Sequence, residues 1–324
     1  MRYCISTYIR IFIKVDSWLG FLEAQNVHHL SYAVLCSHNF NNWLSNRYSH
    51  WIILRTKIKM KIGIAIVHGI GRQDKSYADN FIKLIQEQYK KSAGKADLVF
   101  ESICWQEEIE PLEHTLFEKI KNLGWKLLRS FFVGYGGDAL CYQPSEVKEN
   151  GFYTKVHKSV DKGLQNLAKS LDANSPICII SHSLGTVVVS NFIWDIQHNS
   201  SYYSASPEVQ NLIKRLSLLY TMGSPLAIWS LRFPDGGEPI KLDESANWFN
   251  LYAHNDIISS PIKLINQQYN HMSNLYDFKF NVGGVLFGWN PLSHNSYWDS
   301  RHVIKHITNN LLKIKPLEEK NDKS

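Results

Sequence analysis

Ser183 lies where the sequence changes from a strand pattern to a helix pattern. Residues 177–189 have the sequence ICIISHSLGTVVV: an apolar β-branched run, a short polar turn and a second apolar segment. A sharp strand-to-helix turn would lift the Ser183 hydroxyl to the edge of a sheet as a nucleophile, if small residues stand two positions before and after it. Gly185 meets this need. Ser181 stands where glycine is usual, so we expect a local hydrogen bond or a tighter turn there.

Two segments offer backbone N–H groups that suit an oxyanion. The N–H of Leu184 lies at the start of the predicted helix, where the helix dipole favours negative charge. The first predicted strand ends in HGIG at residues 68–71, and glycine lets a backbone approach a substrate closely, so Gly69 and Ile70 are further candidates. An ordinary glycine-rich turn is the alternative. A phosphate-binding loop is disfavoured, because Arg and Gln follow the second glycine and no GxGxxG segment is present. We interpret His68 as structural rather than as a base.

Strand and helix patterns alternate along the chain from Met60 onward, and these elements must position the candidate serine. Strands separated by helices favour a parallel sheet that helices cover on both faces. The predicted strands are 62–67, 98–105, 177–180, 216–221 and 248–253, and the predicted helices are 76–90, 156–171, 186–196 and 303–314.

A long insertion, at about residues 106–151, separates the second and third predicted strands. Apolar residues from Leu112 to Phe131 recur at helical spacing, and several aromatic residues and the segment 134–137 (GYGG) lie nearby. One interpretation is a helix that packs on the core. The other is a helical cap whose apolar face looks into a substrate site. The sequence leaves both open.

From about Lys61 to Ile314 the chain resembles the α/β-hydrolase superfamily, in particular its lipase and esterase-like members. The resemblance rests on the serine turn, on the HG pair after the first strand and on the closing segment PLSHNSYWDSR at 291–301. It implies a mostly parallel central sheet with helices on both faces, a helical cap-like insertion and the chain order nucleophile, acid, histidine. On this basis Asp256, just after the strand that ends at Ala253, is the expected acid, and His294 is the expected base.

Other residues compete for these roles. Asp256 also fits an ordinary turn residue. Two aspartates in a Pro/Gly/charged loop are rival acids, and a histidine in a polar stretch is a rival base: Asp235, Asp243 and His271. His302 and His306 are four residues apart on the last predicted helix, as metal ligands often are. We interpret them as a helix face, because no third ligand is evident.

The chemistry that the resemblance implies is covalent acyl transfer by a serine hydrolase, with Ser183, His294 and Asp256 as the triad. It requires neither a metal nor an organic cofactor. The apolar insertion favours a small-molecule acyl ester or lipid substrate. A thioesterase or acyltransferase on the same site stays open, and so does a non-catalytic binding protein of the same fold.

Composition limits the classes of partner. The net charge is +6, but residues 1–59 hold seven Lys or Arg against two acids, which leaves the rest nearly neutral and disfavours a nucleic-acid binder. Five scattered cysteines favour a reducing compartment, and we expect a cytoplasmic protein. No apolar window is long enough for a membrane-spanning helix. Peripheral contact with anionic lipid stays open because of a basic flank on the insertion: Lys119, Lys121, Lys126 and Arg129.

The two ends of the chain differ from the middle. Residues 1–59 are poor in acids and show no sustained period, and Arg10 and Lys14 interrupt the apolar run that a secretory signal needs. We interpret this segment as an N-terminal extension and Met60 as the functional start, with a transit-like leader as the alternative. Residues 60–315 form the expected hydrolase domain, and 316–324 a flexible, solvated tail.

Overall fold

A computed structural model describes residues 60–69, 76–105, 142, 151–281 and 294–316. The predicted extension at 1–59, the helical stripe of the insertion with its basic flank, and the tail from residue 317 lie outside these ranges.

In the part of the chain that the structure describes, six strands form one sheet in the order β2-β1-β3-β4-β5-β6, and every neighbouring pair is parallel. Strands β1 and β3 are mostly apolar and buried because helices cover both faces of the sheet. Five of the strands were predicted; β6 was not, because its sequence LYDFKF lies half-exposed at the sheet edge. The strands are β1 (Lys61–Val67), β2 (Asp97–Ile103), β3 (Ile177–His182), β4 (Leu216–Met222), β5 (Asn247–Ala253) and β6 (Leu275–Phe280).

The described helices lie on both faces of the sheet, as predicted. The four longest agree with the sequence periodicity, whereas three short ones were not predicted, because helices of five to seven residues span too few turns to show a period. They are α1 (Asp79–Lys91), α2 (Phe152–Lys169), α3 (Leu184–His198), α4 (Pro207–Ile213), α5 (Leu226–Ser230), α6 (Gln267–His271) and α7 (Arg301–Leu311), with a 3₁₀-helix at Ile262–Leu264. None of the helices in this part of the chain is both long and apolar enough to cross a membrane.

Two apolar layers enclose the sheet. On one face, side chains of α1 and α7 pack against inward residues of β1, such as Phe81 and Ile307 around Ile64. On the other face, α2, α3 and α4 supply residues such as Leu164 and Val188. Helix α3 is buried almost all round, which explains its apolar sequence.

Tyr142, from the predicted insertion, is fully buried in the second of these layers. Its hydroxyl lies 2.7 Å from His157 Nε2 on α2. His157 Nδ1 lies 3.1 Å from Asp195 Oδ2 on α3, and Tyr153 donates a hydrogen bond to the same carboxylate oxygen. At Tyr142, therefore, the insertion packs on the core.

The strand order and the strand-turn-helix at β3 define the α/β-hydrolase fold that the sequence predicted. The order of strands reverses at β1, which has β2 on one side and β3 on the other. In open parallel sheets, ligand sites lie at such a switch point, outside the carboxyl ends of the strands. The candidate nucleophile follows β3 and the HG pair follows β1, so both lie at this edge.

Candidate active site

Ser183 joins β3 directly to α3 in a sparsely populated backbone conformation, with φ 53° and ψ −133°. For a residue with a side chain this conformation costs about 1–3 kcal/mol, so the surroundings must hold it in place. The Ser183 N–H donates to Met222 O at the end of β4, and Thr186 Oγ1 donates to Ser183 O at 2.7 Å. The Ser183 hydroxyl is buried and makes no hydrogen bond to any of the described residues. The backbone of Ser183 is therefore fixed by hydrogen bonds, while its hydroxyl makes none with the described residues.

Two glycines beside Ser183 lie too close to neighbouring atoms to be replaced by a residue with a side chain. A Cβ atom on Gly185 would lie 2.2 Å from His68 O, and one on Gly69 would lie 2.3 Å from Ser183 Cβ. The backbone after β1 thus touches the serine turn. Ser181, in place of the usual glycine, donates from its buried hydroxyl to Tyr220 O at 2.8 Å. The hydroxyl is therefore satisfied by the neighbouring strand, 39 residues away, and not by a local hydrogen bond as expected.

The structure brings Asp256 and His294 together at the same edge of the sheet, and both are buried. His294 Nδ1 lies 2.9 Å from Asp256 Oδ2. Because a carboxylate can only accept, Nδ1 carries the proton and Nε2 is left as the basic nitrogen. Asp256 Oδ1 accepts from the N–H of Ile258 at 3.1 Å.

The Asp256 carboxyl is ionised at neutral pH. Desolvation by burial raises its pKa, but the hydrogen bond and charge of His294, with the N–H of Ile258 and the Tyr297 hydroxyl, outweigh burial and lower the pKa to about 2. A buried carboxylate with this many donors can orient the imidazole and stabilise its cationic form.

Two contacts link the acid–base pair to the serine turn. Gly223, with φ +58°, follows β4, and a Cβ there would lie 3.0 Å from His294 Cε1 and 3.2 Å from Asp256 Oδ2. His182, immediately before Ser183, places its Nε2 2.7 Å from His294 O. Burial lowers the pKa of His182 to about 3, so the ring is neutral and Nε2 donates. The residue next to the candidate nucleophile therefore holds the backbone of the candidate base.

The candidate oxyanion donors differ in how far the structure describes them. Leu184 is the first residue of α3, and the Gly69 backbone lies beside Ser183. Ile70 lies outside the described residues. His68 donates from Nδ1 to Gly69 O at 2.8 Å, accepts at Nε2 from Trp105 N–H and stacks on the Trp105 ring. Burial lowers the pKa of His68 to about 4, so it is a neutral, structural ring that supports the glycine turn.

The rival residues have other surroundings. Asp243 Oδ1 accepts from the backbone and hydroxyl of Ser245, which is a local turn. His271 is the last residue of α6. His306, which we considered as a metal ligand, packs against the rings of Phe249 and Phe278 and is part of an aromatic layer. Burial lowers its pKa to about 4.

Tyr297 and His182 contact the site but were not predicted to have roles in it. Tyr297 is fully buried, and its hydroxyl lies 3.0 Å from Asp256 Oδ2. A Tyr three residues after the predicted base is visible in the sequence, but its contact with an acid 41 residues away is not.

Comparison with known proteins finds only distant structural similarity. No protein-family model matches the chain, and no curated protein matches it. Among solved structures, an esterase from the fungus Rhizomucor miehei aligns over 80% of this chain and 77% of its own, with 10% identity and a TM-score of 0.40. A Pyrobaculum calidifontis esterase aligns over 79% and 77%, with 9% identity and a TM-score of 0.40. Carboxyl esterase 2 of Tuber melanosporum aligns over 80% and 78%, with 10% identity and a TM-score of 0.37.

These similarities are too distant to assign an activity. The class of protein follows instead from this chain's own sheet order and serine turn, and it is that of an α/β-hydrolase-fold protein.

Proposed function

We propose that this protein is a serine hydrolase that cleaves carboxylic esters through an acyl-enzyme. The observation that carries the proposal is the buried hydrogen bond between His294 Nδ1 and Asp256 Oδ2. It lies at the same sheet edge as Ser183, whose backbone is strained and whose hydroxyl makes no hydrogen bond to the described residues. Fold alone does not define function, whereas a nucleophile, a base whose tautomer its hydrogen bond to Asp256 defines and an ionised acid together do point to one chemistry.

The reaction has two halves. In the first, Ser183 Oγ attacks the ester carbonyl while His294 Nε2 takes the hydroxyl proton, and the imidazolium then gives that proton to the departing alkoxide. In the second, water attacks the acyl-serine with His294 again as base, which releases the acid and restores the serine. Asp256 remains ionised throughout and stabilises the imidazolium.

The N–H of Leu184 and the N–H of Ile70, beside Gly69, are the proposed donors to the oxyanion. Each such donor contributes about 3 kcal/mol to stabilisation of the transition state in enzymes of this kind. Support for this part is the position of Leu184 at the start of α3 and the contact of Gly69 with Ser183.

The proposed substrate is a small acyl ester or lipid. Its support is the apolar and aromatic composition of the insertion, together with its basic flank, both read from the sequence. A thioesterase or an acyltransferase would use the same three residues and differ in leaving group or acceptor. We also propose a reducing, cytoplasmic compartment, supported by the five scattered cysteines of the sequence.

Labelling of the purified protein with a fluorophosphonate probe tests the activated serine. We expect the wild type to be labelled and Ser183→Ala to be unlabelled. Ser190→Ala is the matched control, because Ser190 is a buried serine on α3, the helix that follows Ser183, and its loss should leave labelling unchanged. An unlabelled wild type with a cooperative unfolding transition would contradict the proposal and favour a binding protein. A labelled protein would then be profiled with p-nitrophenyl esters of increasing acyl length.

A further inference from the structure

The carboxylate of Asp256 has a second side-chain donor on the oxygen that faces His294. Tyr297 Oη lies 3.0 Å from Asp256 Oδ2, and His294 Nδ1 lies 2.9 Å from the same atom. Tyr297 is fully buried, on the segment between His294 and α7. Ser259 Oγ lies 3.1 Å from the Tyr297 oxygen.

The directions of these hydrogen bonds follow from the chemistry of the groups. An ionised carboxylate can only accept, so the single phenolic proton of Tyr297 is donated to Asp256. Burial raises the pKa of Tyr297, and the nearby Asp256 charge raises it further, so the phenol stays protonated. Its oxygen is then free to accept from Ser259. The result is a directed chain from Ser259 to Tyr297 to Asp256.

We propose that Tyr297 is a positioning residue for the acid of the triad, an inference that rests on the proposed function. Its hydroxyl holds Oδ2 towards the imidazole, while the N–H of Ile258 holds Oδ1. It also draws part of the negative charge of Oδ2 away from His294. Tyr297 therefore sets both the orientation of the carboxylate and the strength with which it holds the imidazolium.

The variant Tyr297→Phe removes the hydroxyl and keeps the ring. We expect kcat for ester hydrolysis to fall about tenfold with KM little changed, since a hydrogen bond to a charged group is lost but no substrate contact is. We also expect the acidic limb of the kcat/KM profile to move to higher pH. The reason is that an Oδ2 with one donor fewer offers more negative charge to the imidazolium.

Tyr203→Phe is a matched control for the same chemical change. The Tyr203 hydroxyl donates to the buried carboxylate of Asp161 at 2.7 Å, away from the site. Both variants should lose comparable stability, but only Tyr297→Phe should change kcat and the pH profile. If both lose stability and neither moves the acidic limb, Tyr297 has a structural role only and the inference is overturned.

Two further measurements cover the remaining outcomes. Should Tyr297→Phe fail to fold, Ser259→Ala removes the donor to the Tyr297 oxygen, and it should change kcat and the pH profile in the same direction to a smaller extent.

Should the wild type prove inactive, the proposed function fails, but proton NMR still tests the geometry. The resonance of the His294 Nδ1 proton, assigned by its loss in Asp256→Asn, should move in Tyr297→Phe and stay in Tyr203→Phe. An unmoved resonance overturns the inference.

Discussion

The contact between Gly69 and the serine turn makes Gly69→Ala the most informative perturbation of the site. The added Cβ would lie 2.3 Å from Ser183 Cβ and 3.0 Å from Ser183 Oγ. Carbon atoms in ordinary contact are about 3.5–4.0 Å apart, so the two backbones must separate by about 1 Å or more. The contact is with the first atom of a side chain that belongs to a buried, doubly hydrogen-bonded turn, so neither partner can swing aside.

A displacement of about 1 Å in a catalytic constellation can cost about 100-fold in rate. We therefore expect Gly69→Ala to lower kcat/KM for p-nitrophenyl esters, and the rate of fluorophosphonate labelling, by about that factor. Overpacking of this kind should cost about 1–3 kcal/mol in the free energy of unfolding, which denaturant titration measures.

Gly63→Ala is the matched control, because Gly63 is on the same segment and would also acquire a close contact. There the added Cβ would lie 2.5 Å from the end of the Leu171 side chain, which can move. Activity per folded molecule should be kept in Gly63→Ala. A folded Gly69→Ala protein with activity within about twofold of the wild type would refute the assignment of this backbone to the site.

Three other predictions concern the acid and the residue whose side chain bonds the backbone of the base. Asp256→Asn should lower kcat about 10⁴-fold, because a neutral amide cannot hold the imidazole in the required tautomer. The pKa of Asp256 is lowered from 3.8 to about 2, so its contribution of about 2 kcal/mol to stability is present above pH 4 and lost as pH falls towards 2. Denaturant titrations across this range should show that loss in the wild type and not in Asp256→Asn. His182→Phe keeps a ring but removes the 2.7 Å donor to His294 O, and steady-state kinetics should show kcat reduced about tenfold at similar KM; an unchanged kcat would contradict the role of His182.

The serine turn was predictable because its determinants are local. A buried strand, two small residues and an apolar helix follow one another within about twenty residues, and each leaves its own pattern in the sequence. The same holds for α2, whose buried residues recur at helical spacing. Strand β6 was not predicted because most of its six residues are only partly buried at the sheet edge and form no apolar run. Helix α5 was not predicted because five residues are too few to show a period.

The sequence by itself thus predicted the fold class and the candidate nucleophile. Asp256 and His294 were predicted from the resemblance to α/β-hydrolases, which places the acid after a strand and the histidine before the last helix. Only the tertiary structure decided which groups touch. His294 meets Asp256 across 38 residues, and His182 reaches the His294 backbone across 112. Such contacts arise from the order and parallel direction of the strands, which gather their carboxyl ends at one edge whatever the distance along the chain. Local periodicity cannot predict these contacts, because it indicates only which face of each helix or strand is buried and not which elements come together.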